Sequence, residues 1–210
     1  MKKYFILIIC FVVINASLVK AEEQNKKTAF AVVSYGYLPS LFTNSLSREL
    51  PSNLFTQIRF VAKNDDMTSI LVKKFIDSLA EIKQSQEIGV IGLVFVPGEL
   101  SFREYIDISK HVAILNIAPL APPDDTSKEA KELFKARVLK QVTRLASLLT
   151  GVEECPFFLC GMFDCKTLKE LDTKSRNLCP PCQLKIEQVM IRSNLYLAPP
   201  GETPPDREGQ

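Results

Sequence analysis

Two cysteine pairs near the C-terminal end constrain this chain more than any other feature. Cys155-x4-Cys160 and Cys179-x2-Cys182 stand eighteen residues apart, spacings close to those of zinc ribbons and fingers, in which two short thiolate hooks converge on one tetrahedral ion. A loop-rich segment of this size cannot close a core of its own, so the four cysteines work mainly as a staple. Two chemistries make such a staple, and the spacing leaves both open. One is a structural tetrathiolate zinc site at Cys155, Cys160, Cys179 and Cys182; the other is a pair of disulfides, which an oxidising compartment favours. Cys165 falls outside the pattern and is the cysteine left over. A third reading takes Cys179-Pro-Pro-Cys182 as a redox pair, since a C-x-x-C dithiol has a lowered thiol pKa and exchanges readily. Thioredoxin-like proteins place that motif directly after an early strand. Here it follows the polar segment DTKSRNL late in the chain, which makes a thiol–disulfide oxidoreductase the least supported of the three.

The N-terminus bears on the redox question. Lys2 and Lys3, an apolar run from Tyr4 to Ile14, and Val19-Lys20-Ala21 before Glu22 have the form of a secretory signal peptide over residues 1–21, so the mature protein is expected to be exported, periplasmic or secreted. The run is short for a spanning helix, although a retained anchor would carry the same pattern. Cys10 lies inside it after Ile9 and reads as leader, not as a lipid site. Of 26 basic side chains, Lys2, Lys3 and Lys20 belong to the leader, which has no acid; against 24 acidic side chains the mature net charge is about −1. Such a chain has no electrostatic footprint for nucleic acid. Lys26-Lys27 and Lys73-Lys74 read as solvated faces, and no membrane contact is expected beyond the leader.

With 210 residues, 46% of them hydrophobic, the chain can pack one domain or a tight pair of subdomains. After a polar linker over residues 22–28, Ala29 to Tyr35 is an apolar run of strand length. Leu41 to Leu50 has weak helical spacing ended by Pro51, and Phe55 to Ala62 alternates as a half-buried strand. Asn64, Asp65 and Asp66 offer N-caps to a helix with the apolar face Ile70, Phe75, Ile76, Leu79 and Ile82, running to about Gln84. The unbroken apolar run Ile88 to Val96 predicts a strand covered on both faces. Val112 to Ile117 predicts another, and the Pro-rich APLAPPDD after it a loop. Thr126 with Glu129 has the capping-box pattern for a long amphipathic helix through Leu133, Phe134, Ala136, Leu139, Val142, Leu145, Ala146 and Leu149, stopped by Gly151. His111, the only histidine, has no matching ligand near it and reads as a satisfied or exposed strand residue. The tail over residues 198–210 is proline-rich and polar and is expected to be disordered.

Gly151 gives the cysteine spacings a register. Archaemetzincins carry H-E-x-x-H-x-x-G-x-x-H-C-x4-C-x-M and, after a spacer, C-x-x-C, and this chain resembles that family. With Gly151 on the motif glycine, Cys155, Cys160, Met162, Cys179 and Cys182 all fall on pattern positions. The catalytic positions do not: Arg144, Leu145, Leu148 and Glu154 stand where the first histidine, the general-base glutamate and the second and third histidines would be. The resemblance is motif-grade from about Arg137 to Cys182 and architectural from about Ala29 to Leu120. It implies an α+β, metzincin-like fold over residues 29–197, a mixed β-sheet with helices packed on it, a long former active-site helix, and a small Cys-rich subdomain from about residue 151. It further implies a pseudoprotease with no catalytic residues, one structural zinc on the four cysteines, and a binding role toward an unknown peptide or protein partner. An active zinc metallopeptidase is the alternative, and it lacks its ligands. Leu145 and Leu148 are equally what an amphipathic helix buries, while Arg144 and Glu154 carry opposite charges that would neutralise each other across the former site.

Overall fold

The longest apolar runs become the inner strands of one sheet. In the computed structural model, which describes residues 27–36, 40–64, 72–98, 103–123 and 127–198, the chain forms β1 (Thr28–Tyr35), α1 (Ser40–Leu54), β2 (Gln57–Lys63), α2 (Val72–Ile82), β3 (Gly89–Val94), β4 (Glu104–Asp107) and β5 (Val112–Asn116). A 3-10 turn at Ala118–Leu120 leads into α3 (Lys128–Leu149), α4 (Leu168–Thr173) and α5 (Pro180–Arg192). The leader, the caps proposed at Asp65 and Asp66, Ile70, Thr126 and the tail from Pro199 lie outside the described residues. The sheet is mixed, with strand order β2-β1-β3-β5-β4; it is parallel except for the edge strand β4, which runs antiparallel to β5. Among the described residues no helix is long and apolar enough to cross a membrane.

β3 and β5 are buried at every position, as an unbroken apolar strand must be when helices cover both faces of its sheet. Alternate side chains feed two cores. Phe30, Val32, Ile91, Leu93, Ala113 and Leu115 pack with α1, α3 and the C-terminal subdomain, whereas Ala31, Val33, Val90, Val112 and Ile114 pack with Phe75, Ile76 and Leu79 of α2. Gly92 lets α2 approach the sheet closely, for a Cβ there would lie 2.7 Å from Leu79 Cδ1 and 3.0 Å from Phe75 Cζ.

Several boundaries differ from the sequence reading, each for a local reason. α1 passes through Pro51 instead of stopping before it. Proline forfeits one helical hydrogen bond and crowds the preceding turn, but Leu46, Leu50 and Leu54, at four-residue spacing and all buried, hold that last turn on the core. β2 begins at Gln57, because Phe55 adopts a φ of 53° and turns the chain there. As an edge strand it is half-buried almost throughout and does not alternate. His111 is an exposed turn residue with a φ of 54°, not a strand residue, and its carbonyl accepts the Val90 N–H. α3 is capped by Ser127, whose hydroxyl accepts the Ala130 N–H at 3.0 Å, one residue beyond the proposed cap. It ends as expected, with Gly151 at a φ of 83° and its N–H on the Leu148 carbonyl.

Candidate metal centre and the adjoining cleft

The second half of α3 is buried almost all round, although one stripe of it is polar. Arg137, Lys140, Gln141 and Arg144 recur at spacings of three and four and therefore share a face. Arg137 donates to both carboxylate oxygens of Asp172 at 2.7 Å and to the Leu120 carbonyl at 2.8 Å. Lys140 Nζ donates to the carbonyls of Leu171 and Asp172 near the end of α4 at 2.8 and 3.0 Å, a favourable place for a cation. With its amide oxygen turned toward Arg103, Gln141 accepts from that guanidinium at 3.1 and 3.2 Å. Arg144 then binds three carboxylates at once: Glu104 on β4, Glu154 just past Gly151, and Asp164 at 3.2 Å. The stripe ties the edge of the sheet to the C-terminal subdomain by charge.

Beyond Gly151 the cysteines come together. Cys160 Sγ accepts the backbone N–H groups of Met162 and Cys179 at 3.4 and 3.3 Å, and Lys174 Nζ holds the same turn by donating to the Gly161 and Phe163 carbonyls at 3.0 Å. Gly161 keeps that turn close to the chain beside it, since a Cβ there would lie 3.2 Å from the Asn177 carbonyl oxygen and press on it. Cys179 is the N-cap residue of α5, whose first turn carries the two prolines, a position where the missing N–H costs nothing. Cys182 follows within that turn, so the C-P-P-C spacing points two thiols one way. The Sγ atoms of Cys155, Cys160, Cys179 and Cys182 all lie within 4.8 Å of one another, and Cys155 and Cys179 are 3.7 Å apart. A tetrahedral ion with metal–sulfur distances of about 2.3 Å sets sulfurs about 3.8 Å apart, so this donor set fits one metal ion. Burial pushes the Cys160 and Cys182 thiols up. Burial also acts on Cys179, but the Cys182 N–H and the neighbouring thiols outweigh it and hold that thiol below its usual range. Cys165 stays outside the cluster, buried, with its sulfur 3.8 Å from the Phe163 carbonyl.

The Arg144 cluster lines a cleft of about 500 Å³, together with Arg103, Cys165 and Lys166. Lys166 also pairs with Asp164. Leu145 is fully buried in the core and Leu148 packs against it half-buried. Of the four positions that the register assigns to catalysis, the structure thus brings Arg144 and Glu154 together in the cleft and sends the two leucines into packing. These residues do not fit a catalytic zinc: Arg144 with Arg103 and Lys166 already balances the three carboxylates, and the one histidine, His111, is an exposed turn residue that does not line the cleft.

The family model for peptidase family M54 matches residues 47–188. The chain belongs to this family. The M54 protein is similar to the archaemetzincin of Methanopyrus kandleri, 25% identical over 160 residues that make up 74% of this chain and 83% of the relative. It is also similar to the archaemetzincin of Natronomonas pharaonis, 36% identical over 61 residues, 29% of this chain and 35% of the relative. The crystal structure of the M. kandleri archaemetzincin superposes with a TM-score of 0.61 at 22% identity, covering 80% of this chain and 98% of that one, which carries the α+β fold. Glu104, Asp164 and Arg103 were not legible as cleft residues. No spacing pattern links a residue on a short edge strand to one between two cysteines; only the fold makes them neighbours.

Proposed function

We propose that this M54 protein is a catalytically inactive, exported pseudoprotease, with one structural zinc on Cys155, Cys160, Cys179 and Cys182 and a cleft retained for binding a peptide or protein. The observation that carries the reading is Arg144, a cation seated among Glu104, Glu154 and Asp164 where the register would set the first zinc-ligating histidine. Peptide-bond hydrolysis by a zincin needs a metal-bound water and a general base, and neither Leu145 nor any group on Arg144 can act as one. Zinc on the four thiolates would hold the loop after Gly151 against the first turn of α5 and so fold the subdomain. Engagement of Cys179 and Cys182 in that set also speaks against a freely exchanging dithiol. Export follows from the leader pattern, and N-terminal sequencing of exported protein is expected to begin near Glu22.

Metal analysis of purified mature protein is expected to give one zinc per chain, and a broad peptide library is expected to survive incubation with it. Chelator-sensitive cleavage by clean protein would overturn the inactive reading; two disulfides and no zinc in protein isolated without reductant would overturn the zinc staple.

A further inference from the structure

We propose that the cleft is a receptor for a peptide carboxylate, with Arg144 as its anchor and Glu154 as the resident group that the ligand displaces. This assignment rests on reading the protein as a non-catalytic binder. The three carboxylates on Arg144 are not equivalent. The side chains of Glu104 and Asp164 are 17% and 23% exposed, while that of Glu154 is 52% exposed. Asp164 has Lys166 as a second cation, and Glu104 is held on a paired strand. Glu154 sits in the irregular segment after Gly151, half in water, where an ion pair contributes little. It is the group that can leave.

Its departure changes the charge of the site. With Glu154 withdrawn, Arg103, Arg144 and Lys166 line the cleft against Glu104 and Asp164, an excess of one positive charge, which one carboxylate neutralises and a phosphate dianion would overshoot. The anchor also has capacity to spare. Among the described residues, Arg144 Nε is buried without a hydrogen-bond partner, and so is Glu104 Oε2, although a planar guanidinium with five N–H donors is suited to gripping a carboxylate by two of them. The cleft has room for the group that brings it, at about 500 Å³. It opens beside β4, which among the described residues is an edge strand paired to β5 alone, along which an extended peptide could lie. The anionic group has two sources, a free C-terminus or a Glu/Asp side chain, which share this chemistry.

Three pools of N-acetylated hexapeptides, randomised over uncharged residues, separate the outcomes. The first ends in a free carboxylate, the second is amidated and contains one glutamate, and the third is amidated and uncharged. Binding is followed through the ¹⁵N resonances of the Arg144 side chain and the backbone amides of residues 103–107 and 152–166. The first or second pool is expected to shift these signals and the third to leave them, with Glu154→Gln binding tighter by about two- to fivefold because the internal competitor loses its charge. Arg144→Lys is expected to lose most of the response; Glu154→Gln keeps the test alive if that variant folds poorly. Equal shifts with all three pools would overturn the carboxylate anchor while leaving a peptide-binding cleft. Silence with every pool, in both the parent and Glu154→Gln, would overturn the binding reading as well.

Discussion

Arg144 has a side chain only 3% exposed and three acidic partners, and its removal should be felt unequally by them. Arg144→Met strands the mostly buried Glu104 carboxylate without a cation, which is expected to cost about 3–5 kcal/mol in chemical denaturation. Glu154→Gln alters a half-exposed pair and should stay within about 1 kcal/mol. Asp164 supplies a pH signature. Burial pushes its carboxyl up, but the Lys166 hydrogen bond and the Arg144 charge outweigh burial and hold it below 3.8. The folded chain therefore binds that proton less readily than the unfolded one, so the stabilisation is whole above pH 3.8 and is lost as pH falls through the folded value. Asp164→Asn is expected to flatten the acid limb of a stability-against-pH curve. At this scale the register put Arg144 and Glu154, which stand at fixed offsets from Gly151, in one place, and they do pair in the cleft. Their partners on β4 and in the cysteine loop were not legible, since charge pairing across distant segments leaves no periodic trace.

The elements were legible where burial is uniform. β3 and β5 lie inside the sheet and read as continuous apolar runs, and Gly151 ends α3 with the left-handed turn that glycine favours. Edge elements were not: β4 is four residues long, too short for alternation to be distinguished from chance. α4 carries a capping box, Thr167 with Glu170, inside the segment that reads as loop-rich. Polar residues on a buried face were also deceptive, because Arg137, Lys140 and Gln141 look like the solvent side of an amphipathic helix and instead bind the subdomain. A direct test of helix-on-sheet packing is Gly92→Ala. Its methyl would meet Leu79 and Phe75 at 2.7 and 3.0 Å, so those side chains or α2 itself must give way, and the variant is expected to lose about 1–3 kcal/mol with loss of hydrogen-exchange protection concentrated in α2.

The described residues form two cores on one sheet, with the cysteine subdomain joined to the larger through Met162, Leu171, Ile186 and Met190. Because that subdomain contributes no strand, its order should depend on the staple. Cys182→Ser is expected to lose the metal and the amide protection of α4 and α5 while β1, β3 and β5 stay protected; Cys165→Ser should do neither, as its thiol lies outside the cluster. The sequence by itself determined the inner strands, the stop at Gly151 and the four thiols, because burial, left-handed turns and metal ligation each demand particular residue types at particular spacings. Only the tertiary structure decided that α3 carries its cations inward, that Glu104 and Asp164 meet Arg144, and that four sulfurs converge. Those are through-space encounters between segments far apart in the chain, and an ion pair places no constraint on how many residues separate its partners.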